Sequence, residues 1–337
     1  LTETLMTNEA KNDSLLKVKD LSVSFATDEG EVQALDAVDF EVKLGQTLGL
    51  VGESGCGKSV TALSVMRLLP RPMGKINGGS IHFEGKDLLK LTPDEMRQVR
   101  GNEIGMIFQE PMNALNPVRS IGDQISESFL LHQDITRKQA WLKSIEMLDE
   151  VGIPVPESRV FEYPHQLSGG MRQRIVIAIA LACKPKLIIA DEPTTALDVT
   201  VQSQILDLLQ SLKEKLGSSV LLITHDLGVI AETCDEVCVM YAGRMVERAP
   251  VKELFAHPMH AYTRGLLSSI PRLDGIPKTE LSTIDGMVPS LSELNSGCRF
   301  APRSGLEHSK EQIEKRPGFI EINPEHWVEA CPVCLSI

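Results

Sequence analysis

Gly52-Glu-Ser-Gly-Cys-Gly-Lys-Ser59 is the stretch on which the reading of this fold turns. It fits the pattern G-x-x-x-x-G-K-[ST], and it stands in the context that pattern needs. An apolar run ends at Leu50 just before it. Behind it, Val60-Thr-Ala-Leu-Ser-Val-Met-Arg-Leu-Leu69 repeats apolar positions at helical spacing until Pro70. Strand, glycine loop and helix in that order make a phosphate cradle. Gly52, Gly55 and Gly57 let successive backbone N–H groups and the helix N-terminus face phosphate oxygens. Lys58 reaches the β- and γ-phosphates and Ser59 offers a hydroxyl to Mg²⁺, while Glu53, Ser54, Cys56 and Val60 complete the loop. A glycine-rich turn of chance spacing would explain the loop but not its two flanks.

Working outward, residues 16–24 and 32–50 alternate apolar and polar positions around an Asp-Glu-Gly turn at 28–30 and read as an antiparallel β-layer. Further strands are expected at 79–83 and 103–108, and helical periodicity dominates 119–160. A helix (169–183), a buried strand (187–190), a helix (199–216), a buried strand (220–224) and a hairpin near 236–248 follow. Such alternation predicts a parallel sheet flanked by helices. The fold class is therefore α/β, with an antiparallel β-layer, a parallel core sheet and a helical subdomain. From about Pro250 prolines and glycines become frequent, which suggests a separate C-terminal extension over 251–337. Residues 1–14 are polar and are expected to form a flexible lead-in to a domain spanning 15–250, with the helical subdomain at about 113–167.

The 337 residues are 42% hydrophobic and 24% charged, values of an ordinary globular chain. The longest apolar run, Ile175 to Cys183, is far short of a membrane span, and no secretory signal is visible. A cytoplasmic protein is expected. A net charge of −12 argues against nucleic acid or anionic lipid as a partner. The seven cysteines are odd in number and scattered, which argues against a disulfide framework. Cys183, Cys234 and Cys238 lie among apolar neighbours and read as small core residues.

Two more segments carry chemistry. Leu187-Ile-Ile-Ala-Asp-Glu192 is a buried strand ending in two carboxylates: Asp191 can hold Mg²⁺ through water, and Glu192 can polarise an attacking water. Leu167-Ser-Gly-Gly-Met171 opens an apolar helix whose N-terminus, with Ser168, Gly169 and Gly170, can bind a γ-phosphate. Alone, the first could be loop charge and the second a plain helix cap.

With the phosphate loop, however, LSGGM resembles the signature of ABC-type ATPases, and the resemblance runs over residues 16 to 250. It implies ATP and Mg²⁺ as ligands, with Glu192 and His225, the latter similar to the switch histidine, as catalytic residues. It also implies that Gln109 in Phe-Gln-Glu-Pro is a Q-loop residue at the Mg²⁺ with Ser59 and Asp191. Thr195-Ala-Leu-Asp198 resembles a D-loop, and Phe25 resembles the aromatic residue that stacks on adenine. In that family the signature of one subunit covers the nucleotide of its partner, so a second cassette is implied.

Met112-Asn-Ala-Leu-Asn-Pro117 and His257-Pro-Met-His-Ala-Tyr-Thr-Arg-Gly-Leu-Leu267 resemble the dipeptide and oligopeptide permease ATPases. This implies two integral membrane permease subunits, an extracytoplasmic substrate-binding protein, a paralogous second ATPase subunit, and a place on the cytoplasmic face of the membrane. Nickel importers share part of the pattern. A DNA-repair or chromosome-organising ATPase would place a long coiled coil between loop and signature, and a translation-factor ATPase would carry two cassettes; neither is seen here. A regulatory subunit would have lost Glu192 or His225. Those permease ATPases often carry a [4Fe–4S] cluster in the tail. Cys298 and Cys331 match its first and last ligands, but Ser304 stands at the second, so with Cys334 only three thiolates remain and no stable cluster is expected. His308 or His326 could complete a mixed set, although a lone surface histidine is the plainer account. The tail is then expected to pack on the cassette.

Overall fold

The computed structural model describes residues 14–28, 30–195, 197–270 and 283–335, apart from the side chain of Met112. The lead-in over residues 1–13, and the prolines at 271 and 277 that help to mark the extension, lie outside the described residues. The strands are β1 (Ser14–Thr27), β2 (Gly30–Lys43), β3 (Thr47–Val51), β4 (Gly74–Phe83), β5 (Lys86–Asp87), β6 (Ile104–Ile107), β7 (Leu187–Asp191), β8 (Ser219–Thr224), β9 (Glu236–Tyr241), β10 (Arg244–Pro250), β11 (Phe319–Asn323) and β12 (His326–Glu329). They form two sheets, an antiparallel one ordered β2-β1-β4-β5 and a mixed one ordered β11-β12-β10-β9-β3-β8-β7-β6.

The expected β-layer needs one correction. Residues 47–50 leave it: the chain turns at Gly45, in the left-handed region at φ +71, and β3 becomes a middle strand of the other sheet. The reason is burial. All five residues of β3 are buried, as are all of β7, β8 and β9, so these runs need cover on both faces and only a helix-flanked parallel sheet supplies it. β3 pairs in parallel with β8 and β9, and β7 with β6 and β8. Their carboxyl ends therefore lie side by side, and Gly52, Gln109, Glu192 and His225 each follow one of them within two residues. Open parallel sheets bind ligands at that edge.

The helical region is built from Ile121–His132, Arg137–Glu150 and Pro156–Arg159, packed on Gly169–Leu181 through a core that includes Ile125, Phe129, Leu148, Val160 and Ile175. Ser120, Thr136 and Ser168 cap three of these helices with their side-chain oxygens.

Beyond Pro250 the chain returns to the same sheet. β12 pairs with β10 through Glu247–Val328 and Arg248–Trp327, and β11 closes the edge. A buried hydrogen-bonded pair holds this junction. Glu247 and His326, both fully buried, meet at 2.8 Å, and Glu247 also accepts from the amides of Met259 and His260. Burial resists ionisation of Glu247, but the bonds from His326 and from those amides outweigh it and hold its pKa below the ordinary value.

Candidate functional site

The phosphate loop is shaped by its glycines. Gly57, at φ +111, is the N-cap of the helix Lys58–Val65, and a Cβ on Gly52 would come within 2.2 Å of the Met240 carbonyl. Lys58 is buried, and its ammonium donates to the carbonyls of Gly52 at 2.7 Å and Glu53 at 3.0 Å. Ser59 Oγ donates to Asp191 Oδ1 at 3.0 Å, joining the end of β3 to the end of β7. Burial raises the pKa of Asp191 above its usual value against the opposing bond from Ser59.

Glu192 lies at the meeting point of the site. It sits at φ +46, a left-handed conformation that is costly for a residue with a Cβ, and its amide is held by the Ile223 carbonyl at 2.9 Å. Its carboxylate accepts from Gln109 Nε2 and from Thr195 Oγ1, each at 2.9 Å, and faces His225 Nδ1 at 3.5 Å. Burial pushes its pKa up, but the Thr195 hydroxyl, His225 and Lys58 together pull it below the ordinary value, so the group is ionised at neutral pH. A cavity of about 200 Å³ joins Phe25, Ser54, Gly55, Lys58, Gln109 and Glu192. The sequence-predicted cleft residues thus converge, drawn from both sheets.

The signature does not converge with them. Ser168 and Gly169 are exposed at the start of the helix Gly169–Leu181, where Ser168 Oγ accepts from the Met171 amide at 3.3 Å; Leu167 is buried beneath. A Cβ on Gly170 would come within 2.9 Å of Val201. Asp198, exposed, caps the helix Val199–Leu216 by accepting from the Val201 amide. The apparent γ-phosphate site is an open helix N-terminus on the surface, with the polarity that attracts anions.

The family model described as ABC transporter matches residues 35–195, and the one described as oligopeptide/dipeptide transporter, C-terminal region, matches residues 246–310. The oligopeptide transport ATP-binding protein OppD of Bacillus subtilis is 51% identical over 94% of this chain and 88% of its own length. The chain belongs to the ABC transporter ATP-binding family. It is an ABC-type ATPase with a nucleotide-binding cassette. The dipeptide transport ATP-binding protein DppD of the same organism is 53% identical over 86% of this chain and 87% of its own. Among solved structures, a dimeric post-hydrolysis ATP-binding cassette bound to ADP and Pi superimposes with a TM-score of 0.63 at 27% identity, covering 70% of this chain and 98% of that one. A Clostridium perfringens subunit of the ABC transporter complex cbiONQ gives 0.61 at 29% identity, covering 73% and 92%. No helix among the described residues is long and apolar enough to cross a membrane.

Sequence reasoning missed how far the tail of this ABC ATPase reaches into the cleft. Arg303 grips the Glu53 carboxylate with both terminal nitrogens, at 2.6 and 3.0 Å, and the Tyr262 hydroxyl oxygen accepts from the Glu53 amide at 2.9 Å. Leu291 lines the cavity itself. Asp36 on β2 binds Arg299 and Arg316 as well as Arg244. The available signal was Tyr262, inside the stretch His257–Leu267, and Arg303, five residues after Cys298, but nothing local says that they point at Glu53.

Proposed function

We propose that this chain is the ATP-hydrolysing subunit of an importer of di- or oligopeptides, working as half of a nucleotide-sandwich dimer at the cytoplasmic face of the membrane. The observation that carries the reading is the Glu192 carboxylate, held by Gln109 and Thr195 and facing His225 beside the phosphate loop. Residues 52–60 bind the phosphates of ATP through backbone N–H groups and the Lys58 ammonium, and Phe25 stacks on adenine. The Ser59 hydroxyl and the Asp191 carboxylate, with Gln109 close by, form an oxygen donor set suited to Mg²⁺, which would offset charge on the β- and γ-phosphates. Glu192 orients the attacking water and draws off its proton, and His225 faces the γ-phosphate.

Residues 167–171 and Asp198 belong to the partner-facing surface: the exposed helix start at Ser168 closes over nucleotide held by a second, paralogous cassette. Two integral membrane permease subunits and an extracytoplasmic substrate-binding protein complete the transporter. The nucleotide-binding domain is 15–250, with its helical part at about 113–167, and 251–337 is the extension. The tail-region family match and the names of the peptide-transport relatives support the substrate class.

The test is the dependence of turnover on assembly. The purified chain should hydrolyse ATP slowly and in a concentration-dependent way, and faster once its partner cassette and permease subunits are added. Full, concentration-independent turnover by a demonstrated monomer contradicts the sandwich.

A further inference from the structure

The tail holds a second constellation that nucleotide chemistry does not use. Cys298, His308, Cys331 and Cys334 each bring one donor atom to a group in which all four atoms lie within 4.8 Å of one another. The sulfurs of Cys298 and Cys334 are 3.6 Å apart, and His308 Nε2 is 3.4 Å from the Cys334 sulfur. The three cysteines are buried and His308 is half-buried, so the cluster sits just under the surface with the imidazole at its mouth.

These spacings discriminate between kinds of metal centre. Zn²⁺ binds thiolate at about 2.3 Å and imidazole at about 2.0–2.1 Å in a tetrahedron. The edges of that tetrahedron are then about 3.8 Å between sulfurs and about 3.6 Å from sulfur to nitrogen, by geometry from those bond lengths. The observed 3.6 and 3.4 Å agree to within about 0.2 Å, the tolerance expected of a real site. A [4Fe–4S] cluster needs four thiolates, each on a different corner iron, so the ligand sulfurs are separated by the width of the whole cluster. This tail supplies three, and they are too close together. Ser304 takes no part: its hydroxyl donates to the Ala301 carbonyl at 3.0 Å and accepts from the Leu306 amide at 3.1 Å. The residues present do not fit the cluster.

Two further features fit a single ion. Cys331-Pro-Val-Cys334 has the C-x₂-C spacing with which one turn presents two sulfurs to one metal. His308 Nδ1 lies 3.0 Å from the Leu306 carbonyl. With the proton on Nδ1, that bond turns the lone pair of Nε2 towards the sulfurs, which is how metal-binding histidines are oriented by an outer carbonyl. His326, the other histidine weighed as a ligand, is engaged with Glu247 and stays outside the group.

We propose that Cys298, His308, Cys331 and Cys334 bind one Zn²⁺ as a closed, structural Cys₃His site. It ties the C-terminal segment to the loop that begins at Cys298, and that loop carries Arg299 and Arg303 to Asp36 and Glu53. The ion thereby fixes the tail against both sheets.

The test uses the full-length chain purified anaerobically without an affinity tag that binds metal, with zinc, iron and acid-labile sulfide measured together. The expected result is about one zinc per chain and no sulfide, and Co²⁺ exchanged into the site should show thiolate charge-transfer and tetrahedral d–d bands. His308→Ala, at the half-buried position, should keep the fold and the thiolate bands while weakening Zn²⁺ binding at least about tenfold. Cys334→Ser should lose the metal, and if that variant does not fold, His308→Ala decides. Iron and sulfide in near-equal amounts with zinc absent overturn the proposal. So does metal-free protein that takes up no Zn²⁺, with free thiols or a Cys298–Cys334 disulfide.

Discussion

Between Gly52 and Ser59 the nucleotide cleft takes its phosphate donors from one unbroken run of chain, whereas the tail builds its tetrad from Cys298, His308 and the Cys331–Cys334 turn. The cleft is a local device. Its loop conformation is dictated by glycines at fixed offsets, and its remaining groups hang from the ends of neighbouring parallel strands, so order along the chain predicts order in space. The tail is assembled by pairing at a distance, with β12 on β10 and Arg303 on Glu53, 250 positions away. The first kind of site survives in the sequence as a motif. The second survives only as scattered residues whose meaning depends on the fold.

The contrast can be strained by mutation. The largest effect is expected at Lys58→Ala, which removes the ammonium proposed to meet the phosphates. Nucleotide affinity, measured by titration calorimetry, should fall about 100-fold or more, the scale of losing charge-assisted bonds to phosphate. A smaller loss than Phe25→Ala causes would break the view that the loop supplies most of the binding.

Glu247→Gln probes the junction instead. It leaves His326 without its anionic partner inside the core and should cost about 3 kcal/mol of stability at pH 7. The pH sign follows from the lowered pKa of Glu247. The carboxylate's contribution is fully present above its ordinary value of 4.5 and is lost as pH falls through the lower folded value. Denaturant titrations of both proteins should therefore differ most at neutral pH and draw together as pH falls below 4.5 and through the lower folded value. A difference that stays constant with pH would show that the ionised carboxylate is not what holds the tail strand.

Arg303→Ala should have the smallest effect and is the most informative about coupling between the regions. It frees the Glu53 carboxylate and with it the start of the phosphate loop, so KM for ATP should rise about three- to tenfold while kcat changes less. An unchanged KM would reduce the tail to a bystander.

How much of this was legible beforehand follows the same division. The strand–loop–helix around Gly52–Ser59, the carboxylate pair at the end of β7 and the helix opened by Ser168 were all readable, because each is decided by a few consecutive residues. The placement of β3 was misread as part of the antiparallel layer, since alternation over 32–50 does not reveal that its last residues are covered on both faces. The Pro-rich composition after Pro250 suggested a separate unit, while the structure runs the sheet on through β12 and β11; strand pairing across such a gap leaves no trace in composition. His308 looked like a surface histidine. Only the turn at Ser304 and Leu306, which sets its ring beside Cys334, gives it a chemical neighbour.

The central claim is that Glu192, held between Gln109, Thr195 and His225, is the group that activates water. The most direct measurement compares Glu192→Gln with the native protein in the assembled transporter, following ATP binding and steady-state phosphate release in the same samples. The substitution keeps the size and the hydrogen-bonding reach of the side chain but removes its basicity. Binding should be retained within about threefold and turnover should fall about 100-fold or more. Turnover equal to that of the native complex, with binding intact, would contradict the account and place the base elsewhere.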